Sequence, residues 1–166
     1  MNRLTWVFAA ITGVATLACD DDPVAVAGDY TLSLTKRDNG CDFDNWNEGD
    51  TTSNVGMIIT QDGKNITGTV EGLWGAFLNT WLGSKVYTGT VGGSDLTMTI
   101  IGTHSATSGN CTYTFNSSVD ATLDGDLLEG WVEYTAATND NPDCSTIEGC
   151  VSRHQFNGTR PPTAEQ

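Results

Sequence analysis

Apolar and polar residues alternate one for one through most of this chain, and the connections between those stretches alternate in length. Tyr30, Leu32 and Leu34 are interleaved with Thr31, Ser33 and Thr35; Val55, Met57 and Ile59 with Gly56, Ile58 and Thr60; Leu96, Met98 and Ile100 with Asp95, Thr97 and Thr99. A period of two marks strands with one face buried and the other wet, and threonine suits the wet face of a pleated sheet. Asp62-Gly63, Gly92-Gly93-Ser94 and Asp124-Gly125 have the chemistry of tight hairpin turns. Between them run long connections: Lys36 to Asn54, Gly72 to Lys85, Gly102 to Cys111 and Ala136 to Gly149. Strict alternation of short and long gathers the tight turns at one end and the long loops at the other. That is the order of an up-and-down meander of about eight strands, and closing it removes the two edges an open sheet would expose. The expected fold is therefore all-β: an antiparallel up-and-down barrel over residues 28–160, with one short helical loop, two disulfides and a flexible tail over 161–166.

A short unit with a central glycine recurs along the chain. It reads Ile66-Thr67-Gly68-Thr69-Val70, then Tyr87-Thr88-Gly89-Thr90-Val91, then Leu128-Glu129-Gly130-Trp131-Val132, with Phe156-Asn157-Gly158 opening a fourth copy. Each glycine has the parity of the apolar residues and faces inward, where it lets a strand bend sharply or leaves interior space. Tyr30, Tyr87, Tyr113, Phe115 and Tyr134 are the large residues available to fill that space. Thr60-Gln61-Asp62-Gly63 followed by Ile66-Thr67-Gly68-Thr69 resembles a hairpin of the avidin-like barrels, and the whole layout resembles avidin-like and lipocalin-like barrels. The resemblance implies the fold and not biotin binding. Val70 and Gly72 stand where the avidin-like family has a ligand-contacting Tyr and then Ser, and Gly28-Asp29-Tyr30 stands where these families place Gly-x-Trp.

The N-terminus carries an address. Arg3 precedes an apolar run from Leu4 to Leu17, which ends in Leu17-Ala18-Cys19 and then Asp20-Asp21-Asp22. A charged start, an apolar core too short to span a bilayer comfortably and a small-residue exit make a secretory signal. The cysteine directly after Ala18 resembles the lipobox of bacterial lipoproteins, with Thr16 where that family has Leu, Val or Ile. The resemblance implies a signal peptide over 1–18, acyl chains on Cys19, a lipidated linker over 19–27 and residence at a membrane of the cell envelope, on its periplasmic or surface side. Cleavage ahead of Cys19 removes Arg3 and leaves 148 of the 166 residues with a net charge of −15, against −14 for the whole chain. Nucleic acid, a polyanion, would be repelled by such a surface.

Four cysteines follow Cys19: Cys41, Cys111, Cys144 and Cys150. An even number in an exported chain reads as two disulfides. Nearness in sequence suggests Cys144 with Cys150, which leaves Cys41 with Cys111. The loop Lys36 to Asn54 is dense in Asp and Glu, with Asp42 and Asp44 the candidate ligands should calcium bind, although Trp46 occupies the third ligand position of a calcium loop. No other cofactor is implied. His154 has inward parity and His104 lies in a loop at the same end, so the pair is a candidate polar site at the barrel mouth. In Leu73 to Leu82 the large residues fall at 73/74, 77/78 and 81/82, which is helical spacing inside a strand-rich chain. Such a helix plugs the barrel, covers a cavity in it, or presents an apolar patch to a partner.

No nucleophile elbow, phosphate-binding loop or His-Glu-x-x-His motif is present. The expected function is non-enzymatic: a lipid-anchored bacterial envelope protein binding a small or apolar ligand at the long-loop mouth, through Trp46, Trp74, Phe77, Trp81, His104 and His154. The alternative is a structural or interaction module that meets another envelope protein there.

Overall fold

The structure is a computed structural model that describes residues 23–162; the expected signal peptide over 1–18 and the expected lipidation site Cys19 lie outside them. Nine strands follow one another: β1 (Gly28–Asn39), β2 (Thr51–Asp62), β3 (Asn65–Val70), β4 (Val86–Gly92), β5 (Asp95–Ile100), β6 (Ser105–Ser108), β7 (Cys111–Asp124), β8 (Leu127–Thr138) and β9 (Val151–Thr159). One helix, α1 (Gly72–Leu82), connects β3 to β4. Every strand pairs antiparallel with its neighbour in the order β5-β4-β3-β2-β1-β9-β8-β7, and β5 pairs with β7 to close an eight-stranded barrel. The short β6 forms a hairpin with the first residues of β7, ahead of the part of β7 that pairs with β5. The fold is the expected all-β barrel, and the tight turns stand where the alternation placed them.

The interior is filled. Leu32, Leu34, Met57, Leu96, Leu128 and Phe156 are buried inward residues of five strands. The inward glycines contribute closeness rather than space. A Cβ on Gly68 would collide with Met57 and crowd Met98, and one on Gly89 or Gly130 would strike the backbone of the neighbouring strand at Thr97 or Asp120. What remains inside is a void of about 20 Å³ among Leu32, Met57, Leu78 and Tyr134, room for about one water. Buried hydroxyls are satisfied locally: Tyr30 donates to the Val26 carbonyl at 2.9 Å, and the Tyr87 and Ser117 hydroxyls bond at 2.7 Å.

The chain enters and leaves at the tight-turn end, and its entry is tied down. Within the expected linker over 19–27, the described residues Val24 to Ala27 are held by hydrogen bonds. Val24 N–H donates to the Gly93 carbonyl at 3.0 Å, Val26 N–H to Gln61 Oε1 at 2.7 Å, and Arg160 Nη1 to the carbonyls of Ala25 and Ala27 at 2.9 and 3.0 Å. Val26 is wholly buried and belongs to the core cluster. A polar-to-small composition gave no sign of this, because the partners are turn residues and a C-terminal arginine far away in sequence.

Both disulfides form, with partners other than those expected: Cys41 joins Cys150 and Cys111 joins Cys144. The cause is barrel closure. β1 pairs with β9, so the residue after β1 lies beside the residue before β9; Gly40 N–H donates to the Val151 carbonyl at 3.0 Å and Cys41 N–H to Ser152 Oγ at 3.0 Å. The connection after β8 folds back on the start of β7, where Asn139 N–H meets the Thr112 carbonyl at 3.0 Å and brings Cys144 to Cys111. Sequence nearness of Cys144 to Cys150 was the wrong criterion.

Helix α1 plugs the barrel along one stripe and borders a cavity along the next. Leu78 and Leu82 are fully buried, and Gly75 lies against the Val70 carbonyl where any Cβ would clash. Trp74, Phe77 and Trp81 form the adjacent stripe at helical spacing. Gly83, in the left-handed region at φ 86°, ends the helix by donating its N–H to the Asn79 carbonyl at 3.0 Å.

Candidate functional site

Three parts of the chain meet at the long-loop end. The first is the connection between β1 and β2, folded inward by its own polar side chains. The Asn39 side chain donates to the Phe43 carbonyl at 3.0 Å and accepts from Phe43 N–H at 2.9 Å. Trp46 Nε1 donates to the Arg37 carbonyl at 2.8 Å, and Lys36 Nζ to the Asn45 carbonyl at 2.7 Å. Asp42 and Asn45 adopt left-handed backbone, at φ 53° and 56°, which turns the loop sharply on either side of Phe43 and Asp44. Cys41–Cys150 pins the start of this loop to β9. The second part is the Trp74, Phe77, Trp81 stripe of α1. The third is the upper part of β8 and β9, with Tyr134 and His154.

Their rings form a closed circuit. Centroid distances run Trp46 to His154, 4.5 Å; His154 to Trp74, 5.8 Å; Trp74 to Phe77, 5.3 Å; Phe77 to Trp81, 5.5 Å; Trp81 to Phe43, 5.2 Å; and Phe43 back to Trp46, 5.7 Å. Tyr134 contacts three members of the circuit: Trp81 at 5.2 Å, His154 at 5.7 Å and Phe43 at 6.3 Å. Together they line a cup of about 310 Å³, with Lys36, Asp44 and Asn45 as its polar members. Separations of 4.5–7 Å are those at which aromatic pairs attract.

His154 is the polar residue set deepest in this wall. It pairs with Lys36 on β1 and Val132 on β8, and is 3% exposed. Its Nδ1 is buried with no hydrogen-bond partner among the described residues. Burial, with the Lys36 charge adding to it, pushes its pKa down to about 4, so the ring is neutral at neutral pH. Burial likewise holds Tyr134 protonated by pushing its pKa well above the usual phenol value.

Of the residues singled out in the sequence, Trp46, Trp74, Phe77, Trp81 and His154 converge on the cup, and Asp44 lines it. His104 does not: its Nδ1 bonds the Thr80 carbonyl at 2.8 Å beside the end of α1. Asp42 lines a separate shallow groove with Tyr113 and Ile147. Among the described residues no group of three or more His, Cys, Asp and Glu is placed to hold a metal ion. Sequence reasoning missed Phe43; Tyr134, expected in the interior and buried in the core, lines the cup as well. The available signal for Phe43 was its position between Cys41 and Trp46, two residues that anchor the loop.

Comparison with protein-family models, with curated proteins and with solved structures found no match.

Proposed function

We propose that this protein is a non-enzymatic binding barrel of the bacterial cell envelope, held to a membrane by acyl chains on Cys19 and taking a small ligand with an apolar body into the aromatic cup. The observation that carries the binding reading is the closed circuit of rings around about 310 Å³, a volume at the lower end of the usual range for small-molecule sites. Among the described residues the filled barrel leaves inside it a void of only about 20 Å³, too small for such a ligand, so the ligand sits at the mouth and not within the barrel as in an open-cavity binder. The chain enters at the tight-turn end, so a tether at Cys19 leaves the cup facing away from the membrane. The alternative, docking of another envelope protein, draws on Leu73 and Phe77, which are 92% and 49% exposed on α1.

Two experiments test the two halves. Two acyl chains give stable membrane attachment where one gives marginal binding. Cys19→Ser is therefore expected to abolish palmitate incorporation and release the protein from membranes; retention without labelling of the wild type refutes the anchor. The neutral fluorophore N-phenyl-1-naphthylamine is expected to bind the wild type with one-to-one stoichiometry and a rise in emission. Trp74→Ala with Trp81→Ala should weaken it at least about tenfold, the loss of roughly 1.4 kcal/mol of contact, while the strand signature in circular dichroism persists. Undiminished binding by the double variant places the probe elsewhere and defeats the cup.

A further inference from the structure

The charge around the cup selects among small ligands. Three of the six rings in the circuit are tryptophans, the aromatic side chain that attracts cations most strongly. The segment Gly40 to Asp50, which supplies Phe43 and Trp46, carries Asp42, Asp44, Glu48 and Asp50 and has no Lys or Arg. Asp44 lines the cup directly. Lys36 is the one lining residue with a positive charge, and its Nζ is occupied by the Asn45 carbonyl at 2.7 Å and by Asp50 Oδ2 at 3.4 Å. An anion would meet these carboxylates and a strongly negative protein, and is disfavoured. A primary ammonium brings three N–H groups that need acceptors, and the polar lining supplies few of them. A methylated nitrogen has few or no N–H groups to satisfy and spreads its charge over an apolar shell. The geometry points to a methylated ammonium group, quaternary or tertiary, as the part of the ligand that the cup holds, against the π-systems of Trp46, Trp74 and Trp81 and in the field of Asp44. This rests on the cup being the binding site proposed above, and it adds the chemical class of the ligand.

The test compares benzyltrimethylammonium with neopentylbenzene, which has the same shape with carbon in place of the charged nitrogen. Binding of each to the wild type, Asp44→Asn and Trp74→Ala/Trp81→Ala is followed by intrinsic fluorescence and calorimetry at low ionic strength. The cation is expected to bind about tenfold tighter than the neutral compound, within the span of desolvated cation–π attraction. Asp44→Asn should weaken the cation by about twofold or more and leave the neutral compound unchanged, as removal of a nearby exposed charge does. The tryptophan double variant should lose both. If the neutral compound binds as tightly as the cation, the ammonium assignment is overturned and the apolar cup stands. If neither compound binds, or if the cation binds the tryptophan double variant unchanged, the assignment falls together with the cup.

Discussion

Cys41→Ser with Cys150→Ser is expected to lower stability by about 4–5 kcal/mol, the larger of the two disulfide effects in this protein. The bridge closes a loop between residues 109 apart in sequence, whereas Cys111–Cys144 spans 33. Chain entropy released to the unfolded state grows with the logarithm of loop length, so the longer bridge should exceed the shorter by about 1 kcal/mol. It also fixes the loop that carries Phe43 and Trp46, so its loss should weaken probe binding even under conditions where the barrel stays folded. Denaturant unfolding of the two double variants decides the order. A larger cost for Cys111→Ser with Cys144→Ser would show that the first bridge does not close the β1–β9 seam in the way described. Peptide mapping without reduction gives the connectivity directly.

His154 makes the second large effect, and its sign follows from which state takes up the proton. An ordinary histidine titrates near 6.5, while in the fold burial lowers this group to about 4. Above pH 6.5 the ring is neutral in both states and its contribution to stability is fully present. As pH falls from 6.5 to 4 the unfolded chain takes up a proton that the folded one refuses, and stability drops. From about pH 7 to pH 4.5 this group alone should account for a loss of about 2–3 kcal/mol. The groups facing it are Lys36 on β1, Tyr134 on β8, Trp74 on α1, and Asp44 and Trp46 on the loop. His154→Leu removes the titration and keeps an apolar side chain in the wall. Its stability should therefore fall by about 2–3 kcal/mol less than that of the wild type over the same interval, the carboxylates being common to both. Parallel curves for the two proteins would mean that His154 is protonated in the fold and that the cup is wetter than its rings imply.

Much of the barrel was legible because its signals are local. Alternation in β1, β2 and β5 and the turn chemistry at Asp62-Gly63 and Asp124-Gly125 each act within a few residues, and together they set strand number and direction. The helical spacing of Trp74, Phe77 and Trp81 is local too, and so this wall of the cup is legible in the sequence. What escaped depends on closure. The disulfide partners follow from β1 meeting β9, a pairing between the two ends of the chain that no window of sequence contains. The strapping of Val24 to Ala27 by Gly93, Gln61 and Arg160 is of the same kind. The glycines were ambiguous for another reason. Inward parity says that no side chain projects there, and it leaves open whether a neighbour fills the place. Met57 and Met98 do so at Gly68, and strand backbone does so at Gly89 and Gly130. His104 and His154 show the limit of parity outside strands: His154 lies on β9 and its parity held, whereas His104 sits in a connection where parity has no meaning.

The cup can be read out with an internal control built into the chain. The described residues include four tryptophans, three of them in the cup (Trp46, Trp74 and Trp81), while Trp131 stands 41% exposed on the outer wall of β8, opposite Asp120 and Gln155. Each indole N–H gives its own nitrogen–proton resonance. Titration of the anchor-free protein with N-phenyl-1-naphthylamine should shift the Trp46, Trp74 and Trp81 signals along one shared saturation curve and leave Trp131 in place. A shift confined to Trp131, or saturation of the probe with the three cup signals unmoved, would contradict the account.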